Sequence, residues 1–280
     1  EKTVNGNYAF VENYATIDAT DDALSRVAAM QEPWLMVVAY HAPHDPWHAP
    51  PQDLHTYGNL TGEPDVMLMD AMVESLDTEL GRLLDSLGTD LRARTTVIFT
   101  SDNGTYSDVV RAPSIPSQSK GTMYEGGINV PLVVTGPLID QPGSESSALV
   151  HAVDIFATVA DLAGVDLSTL TRSGQPLTID GQSLLPHLRD PANAVGRQYL
   201  YAEKFSPLGG PPYGYDARAL RDERYKLVIR DGDHRFYDLL GSSTDGANLL
   251  QGALTDTELA AYERLLEELM GISDGLLYEY

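Results

Sequence analysis

The sequence predicts an α/β fold, with a mostly parallel sheet sandwiched by helices and a smaller C-terminal antiparallel sheet subdomain that ends in a helix. Three observations predict it. Continuous apolar runs alternate with amphipathic helical segments over the first two thirds of the 280 residues, which indicates buried parallel strands. Short β-type runs separated by turn residues follow. Apolar residues that recur at steps of three and four positions then predict a helix at the end of the chain.

In the first part of the chain, the predicted elements alternate between helix and strand. A helix is predicted over residues 20–30, with Thr20 as its N-cap. Residues 34–40 are a continuous apolar run, typical of a strand buried on both faces. A long amphipathic helix is predicted from Asp65 to Gly88, a residue that suits a helix C-terminus.

The remaining elements complete two predicted domains. Residues 95–100 and 131–134 are predicted buried strands, and residues 150–163 a helix. Beyond them lie four short predicted strands and a terminal helix, at residues 198–203, 217–220, 225–230, 235–239 and 256–270. We therefore divide the chain into residues 1–192, part of an α/β domain, and residues 193–280, an antiparallel α+β subdomain.

Composition excludes several kinds of chemistry. The chain has 41 acidic and 18 basic residues, a formal net charge of −23, which argues against nucleic-acid binding. It has no cysteine, which excludes disulfides, zinc–thiolate sites and a cysteine nucleophile within it. No apolar run reaches the roughly 18 residues of a transmembrane segment. An anionic substrate therefore requires a local cluster of positive groups.

Histidines and prolines cluster directly after the first apolar run, where residues 41–48 read His-Ala-Pro-His-Asp-Pro-Trp-His. Ligands of open α/β sheets bind beyond the carboxyl ends of strands. The prolines around His44 restrict the backbone and help to hold its imidazole in place. Histidine can donate a proton near neutral pH. A proline-rich turn whose histidines only cap the strand end is the alternative.

Polar groups also follow the second apolar strand and precede the third. Asp102 and Asn103 offer a carboxylate and an amide oxygen, which suit calcium or magnesium, and Gly104 permits a sharp turn. An ordinary Asx turn is the alternative. Lys120 lies among small residues that leave its ammonium open to an anion, and Gly126–Gly127 allows close backbone approach. A flexible loop with a solvated lysine is the alternative there.

The order and spacing of these segments resemble the type I sulfatases of the alkaline phosphatase superfamily. The resemblance rests on His-x-Pro-His-x-Pro, then Ser-Asp-Asn-Gly, then Lys-Gly-Thr-x-x-Glu-Gly-Gly and Val-Pro. It covers nearly the whole chain, because it continues at residues 151–158, 180–186, 224–227 and 236–239. Asn129 departs from the family, which commonly has arginine at this position.

The resemblance implies a sulfuric ester hydrolase with one divalent cation, usually calcium. Asp102 and Asn103 would be two ligands of that cation. Lys120 would contact the sulfate and help to neutralise it, and His44 would contact the sulfate or the leaving-group oxygen. His41 is a further candidate for substrate binding. Positive groups around the sulfate oxygens and a proton for the departing alkoxide are what sulfate-ester cleavage needs.

Two family elements are not found ahead of the histidine cluster. Members of the family carry there an Asp-Asp pair that completes the metal site, and a Cys-or-Ser-x-Pro-x-Arg segment whose first residue becomes formylglycine, the nucleophile. Asp21-Asp22 is rejected as the Asp-Asp pair because it opens a predicted helix. Residues 114–118 are rejected as the nucleophile segment because they end in glutamine where the family has arginine. Two oxygen ligands are too few for calcium, which takes roughly 6–8. We therefore expect a fragment, inactive alone, whose partner is a missing N-terminal segment.

The substrate class and two other functions stay open. The expected substrate is a small-molecule or glycan sulfate ester. Residues 207–212 and 213–215 are a predicted surface turn, with the lining of a substrate pocket as the alternative. Phosphodiesterases and phosphonate monoester hydrolases share much of the pattern, and a catalytically inactive domain that binds anionic glycans or a partner protein is the other alternative. Family habit favours a periplasmic or extracellular location.

Overall fold

A computed structural model describes residues 2–207 and 213–272 of the chain. The chain forms two compact units, Glu1–Thr95 and Thr96–Tyr280, which are treated separately below. Within the described ranges, no helix is both long and apolar enough to cross a membrane. The domain boundary between residues 192 and 193 stays a prediction.

The first unit contains a short hairpin and three helices. Strand β1 (Lys2–Val4) pairs antiparallel with β2 (Asn7–Ala9). Helices α1 (Ala15–Ala29), α2 (Asp65–Ser86) and α3 (Gly88–Arg92) follow them. The long helix α2 confirms the prediction from apolar periodicity. It buries one stripe of side chains along its length, namely Ala71, Met72, Ser75, Glu79 and Leu83. Helix α1 packs against α2.

Helix α1 begins at Ala15, so the prediction of Thr20 as its N-cap is wrong. Thr20 is fully buried inside the helix. Its hydroxyl donates to the carbonyl of Thr16 at 3.0 Å and lies 3.0 Å from the hydroxyl of Tyr40. Threonine can bond to the preceding turn of a helix as well as cap one, and here tertiary burial decided between the two roles.

The apolar run at residues 34–40 is not part of a sheet in the described chain. Its side chains alternate in exposure: Leu35 and Val37 are 63% and 84% exposed, while Trp34, Met36 and Val38 are half-buried. The predicted strand, buried on both faces, is therefore not confirmed for residues 34–40. A strand needs a partner for its backbone groups, and no other described segment pairs with this one.

The first part of the second unit has small antiparallel sheets in place of the predicted parallel one. Strands β3 and β4, Val97–Thr100 and Leu132–Thr135, pair antiparallel with Phe99 opposite Val133. The predicted strands therefore exist, but a mostly parallel sheet is not confirmed. The same part of the chain contains helices α4 (Glu125–Ile128), α5 (Val153–Leu162) and α6 (Leu185–Arg189). Strands β5 (Thr171–Arg172) and β6 (Gln175–Pro176) form a hairpin.

The C-terminal subdomain confirms its prediction. Its four strands are antiparallel in the order β10-β9-β8-β7, and helix α7 follows: Leu200–Ser206 (β7), Tyr215–Arg221 (β8), Tyr225–Arg230 (β9), Asp233–Asp238 (β10) and Asp256–Ile272 (α7). Thr255 caps α7 through a reciprocal pair with Glu258, in which the Thr255 main-chain N–H donates to the Glu258 carboxylate at 2.7 Å.

The two faces of this sheet have different neighbours because strand side chains alternate. Leu220, Leu227 and Phe236 point to one face and are fully buried in a cluster that includes Leu265 and Leu269 of α7. The opposite face packs through Ala217, Ala219, Val228 and Tyr237 against Met123, which belongs to the loop that contains Lys120. The sheet therefore supports that loop directly.

Candidate functional site

Main-chain hydrogen bonds join two loops of the second unit, residues 101–105 after β3 and residues 118–128 before β4. The N–H of Gly104 donates to the carbonyl of Gly127, and the N–H of Lys120 donates to the carbonyl of Thr105, both at 2.9 Å. The two loops bear the candidate metal ligands and the candidate anion-binding lysine, respectively. The structure therefore brings these separately predicted clusters together.

Three glycines permit the close packing of this region: Gly104 lets the two loops approach each other, and Gly126 and Gly127 let the 118–128 loop fold closely on itself. A Cβ atom on Gly104 would lie 1.9 Å from the carbonyl oxygen of Gly126. A Cβ on Gly126 would lie 2.6 Å from the carbonyl oxygen of Gln118, and one on Gly127 would lie 2.5 Å from that of Thr122. None of the three glycines is among those with a positive φ, so they are required for space and not for a special turn.

We expect Gly104→Ala to lower the free energy of unfolding by about 1–3 kcal/mol, the cost of forcing atoms into a packed site. The new methyl group would meet the main chain, which cannot move aside as a flexible side chain can. Urea denaturation measures the change. Gly81→Ala, inside α2 and with nothing within 4 Å of its added Cβ, is the control and is expected to stabilise the helix slightly. Equal denaturation midpoints for both variants would contradict the proposed steric role.

Asp102 and Asn103 present a carboxylate and an amide oxygen without partners in the described residues. The side-chain amide of Asn103 donates to the carbonyl of Gly104 at 3.2 Å, so its own oxygen is the atom left to accept. Asp102 is exposed and forms no ion pair within the described chain. The carboxylate of Asp102 and the amide oxygen of Asn103 are hard ligands of the kind that calcium prefers. No cluster of three or more histidine or carboxylate side chains forms a metal site among residues 2–207 and 213–272.

Lys120 is half-buried, and its ammonium has no ion-pair partner among the described residues. The turn around it is well supported: the Ser119 hydroxyl donates to Pro116 at 2.6 Å, and the Thr122 hydroxyl donates to the Ser119 carbonyl at 2.7 Å. The charge of Lys120 is therefore available to an anion.

A buried ionic network anchors the Lys120 loop to the C-terminal sheet. The ammonium of Lys226, which is 0% exposed, lies 2.8 Å from a Glu125 carboxylate oxygen and 3.0 Å from one of Asp245. The other oxygen of Glu125 accepts from Arg221 at 2.9 Å and from Asn129 at 3.0 Å. Burial raises the pKa of Asp245, and the neighbouring Lys226 charge opposes this rise.

The network explains both a motif residue and a departure from the family. Glu125 is the acid of the Glu-Gly-Gly segment, and its carboxylate is the hub of the network. Asn129 occupies the position where the family commonly has arginine, yet Arg221 of β8 brings a guanidinium to the same carboxylate. Sequence reasoning assigned no role to Lys226 or Arg221. The sequence contained one indication of a buried role for Lys226, because alternation along the strand places it on the same face as the apolar Val228.

In the first unit, His44 and His41 share one turn, in which the N–H of His44 donates to the His41 carbonyl at 2.8 Å. Both side chains are exposed, His44 by 60%. The Nδ1 atom of His44 lies 2.7 Å from the Asp45 carbonyl oxygen and 3.1 Å from its carboxylate. Asp45 therefore orients the ring, and Nε2 is the nitrogen left without a hydrogen bond among the described residues.

Comparison with known families matches both units. The family model described as Sulfatase matches residues 2–165. A second model, described as N-sulphoglucosamine sulphohydrolase, C-terminal, matches residues 118–272. The two matches overlap across the Lys120 loop and together include every candidate site residue.

Individual relatives agree with the family models. The N-acetylglucosamine-6-sulfatase of Homo sapiens is 29% identical over an alignment of 232 positions, which covers 69% of this chain and 40% of that protein. A structure solved in complex with its substrate, D-glucosamine-2-N,6-O-disulfate, is 19% identical with a TM-score of 0.74, covering 95% of this chain and 71% of that one. The structure of a phosphonate monoester hydrolase from Silicibacter pomeroyi is 21% identical with a TM-score of 0.69, covering 95% of this chain and 67% of that one.

These comparisons define the family and the part of it that is present. The chain spans less than half the length of the first curated relatives that it matches. At identities under 25%, the solved structures establish the fold alone, including the C-terminal antiparallel sheet with its terminal helix. The Sulfatase model covers more than half of the chain, in agreement with the prediction from its motifs. The chain therefore belongs to the sulfatase family.

Proposed function

We propose that this chain supplies anion-binding, leaving-group and metal-binding residues for the hydrolysis of sulfate esters. The observation that carries the proposal is the joining of the Asp102–Asn103 loop to the loop bearing Lys120, whose ammonium has no counter-ion in the described chain. This arrangement provides local positive charge in an acidic protein. Named relatives act on sulfated sugars, which favours a glycan or sugar sulfate as substrate.

Lys120 and His44 would act on different groups of the substrate as its sulfur–oxygen bond breaks. The ammonium of Lys120 binds a sulfate oxygen and stabilises the charge that develops on the sulfate group in the transition state. When the bond between sulfur and the ester oxygen breaks, the departing alkoxide takes a proton from Nε2 of a protonated His44. Asp45 holds the imidazole by its other nitrogen and so keeps Nε2 directed outward. His41, in the same turn, is a further substrate contact.

Asp102 and Asn103 would hold one divalent cation, of which calcium fits their oxygen atoms best. When bound, the ion would polarise the sulfate as a Lewis acid. Two ligands are fewer than calcium requires, so the remaining ligands would come from elsewhere in the complete protein. We place them, with the formylglycine nucleophile, in an N-terminal segment that acts as the partner of this chain.

We also propose that residues 34–40 are a strand of a mostly parallel sheet in the complete protein. Leu35 and Val37 expose apolar side chains, and the run has no strand partner in the described residues. An exposed apolar run with unpaired backbone groups gains stability when another strand pairs with it. Pairing with a segment outside this chain would give the predicted sheet.

Hydrolysis of a phosphonate monoester is the second candidate, because a phosphonate monoester hydrolase shares the fold over 95% of this chain. The test compares kcat/KM of the complete protein for 4-nitrophenyl sulfate and 4-nitrophenyl phenylphosphonate. We expect the sulfate to be preferred, and we expect EGTA to lower its turnover and added calcium to restore it. Preference for the phosphonate would contradict the proposal. Absence of turnover of either ester would favour an inactive, glycan-binding domain.

A further inference from the structure

A cavity of about 220 Å³ lies between the Lys120 loop and the face of the C-terminal sheet that is opposite α7. Gln118 and Tyr124 line it from the loop, and Tyr215, Arg230 and Arg235 line it from the sheet. It is smaller than the roughly 300–1,000 Å³ of pockets for drug-sized ligands, so it suits a group no larger than one sugar residue.

The two arginines give the cavity positive charge. The Nε of Arg230 lies 3.4 Å from the carboxylate of Asp231, and the Nε of Arg235 lies 3.0 Å from that of Asp233. Both carboxylates are at least half-exposed, and exposed ion pairs are held weakly, so each guanidinium can exchange its carboxylate for a bound anion. Hydrogen bonds to Asp233 and Tyr124 also raise the pKa of Arg235, so its guanidinium stays charged.

Neighbouring groups hold these cations in place. The guanidinium of Arg230 lies 4.9 Å from the centre of the Tyr215 ring, and the ammonium of Lys204 lies 5.4 Å from it. Lys204 also donates to the carbonyl of Gly121 at 2.7 Å, directly beside Lys120 in the chain. The side-chain amide of Gln118 has no partner among the described residues and can bond to a sugar hydroxyl.

We propose that this cavity is a subsite for a second anionic group, a sulfate or carboxylate, on the sugar whose sulfate ester is cleaved. Guanidinium groups bind such anions through paired, charge-assisted hydrogen bonds. The lining residues Gln118 and Thr122 flank Lys120 in sequence, so one loop contributes both to the subsite and to the proposed sulfate site. This inference rests on the proposed function and deepens it, because it selects sugars with at least two negative groups.

The test uses the complete protein and two substrates, D-glucosamine-2-N,6-O-disulfate and D-glucosamine 6-sulfate. We expect the wild type to prefer the disulfate, mainly through a lower KM. Arg230→Gln and Arg235→Gln are expected to reduce that preference about ten- to a hundredfold, the value of a hydrogen bond to a charged group. Arg172→Gln removes an exposed arginine outside the cavity and is expected to leave the preference unchanged.

The results separate this inference from the proposed function. If sulfate esters are hydrolysed but the preference is absent or unchanged in both cavity variants, the subsite is wrong and the function stands. If no sulfate ester is hydrolysed, the function is wrong, and calorimetric binding of the disulfate then tests the cavity alone. Binding that is lost in Arg230→Gln, with an unchanged unfolding midpoint, supports the subsite. No binding to the wild type overturns it.

Discussion

Replacing Lys226 with methionine is expected to lower the free energy of unfolding by about 3–5 kcal/mol, the usual cost of removing one partner from a buried ion pair. The ammonium of Lys226 is fully buried and lies within 3.0 Å of both Glu125 and Asp245. Methionine matches the shape of the lysine side chain, but it leaves Asp245 without a cation and Glu125 with Arg221 as its one cationic partner among the described residues. Urea denaturation measures the loss.

The matched control for this prediction is Arg224→Met. Arg224 is the cation of an exposed pair with Asp238, at 2.7 Å, in the turn between β8 and β9. Water screens that pair, so we expect a much smaller effect than for Lys226. A double variant, Lys226→Met with Glu125→Gln, should recover part of the loss because it removes one unpaired charge. Equal effects of the two methionine variants would refute the role given to the network.

Lys120→Ala is expected to lower kcat/KM for sulfate esters by about 10²–10³ in the complete protein, the effect of removing one group that stabilises transition-state charge. The unfolding midpoint should change little, because the ammonium makes no ion pair or hydrogen bond in the described chain. Steady-state kinetics and urea denaturation on the same preparation measure both values.

Two further lysine variants make this test specific. Lys120→Arg keeps the charge but changes its shape, and should retain part of the activity. Lys2→Ala removes a lysine that is paired with Asp18 and Asp22 in the first unit, and should leave kcat/KM unchanged. Full activity of Lys120→Ala would remove Lys120 from the site.

Elements with a strong local signal were predicted well. Helix α2 was found within two residues of its expected ends, because its apolar repeat and Gly88 are encoded locally. The four C-terminal strands were also found, since turn residues separate them and each pairs with its neighbour in the chain. The helix predicted at residues 20–30 was found, but its start at Thr20 was wrong because threonine is compatible with both a cap and a buried helix interior.

The mostly parallel sheet was predicted from local apolar runs, and such runs do not identify which strands pair. An apolar run indicates that a segment is extended and buried, but it carries no information about which strand lies beside it. For Val97–Thr100 the partner is Leu132–Thr135, in the antiparallel sense, and residues 34–40 have none among the described segments. Pairing depends on contacts between distant parts of a chain.

The candidate site was also only partly predictable. Asp102, Asn103 and Lys120 lie in short motifs, so the order of those motifs was sufficient to select them. Lys226 and Arg221 were missed because their carboxylate partner, Glu125, is 101 and 96 residues away in sequence. A charged side chain within a strand has no visible role until its partner is located.

By itself, the sequence determined the sulfatase family, the identity of the candidate anion and metal residues, and the antiparallel C-terminal subdomain. Motif order and local periodicity encode these features. Only the tertiary structure decided that Gly104 allows two loops to touch, and that a buried lysine ties one of these loops to the sheet. The physical reason is that steric room and the pairing of buried charges belong to residues that meet only after folding.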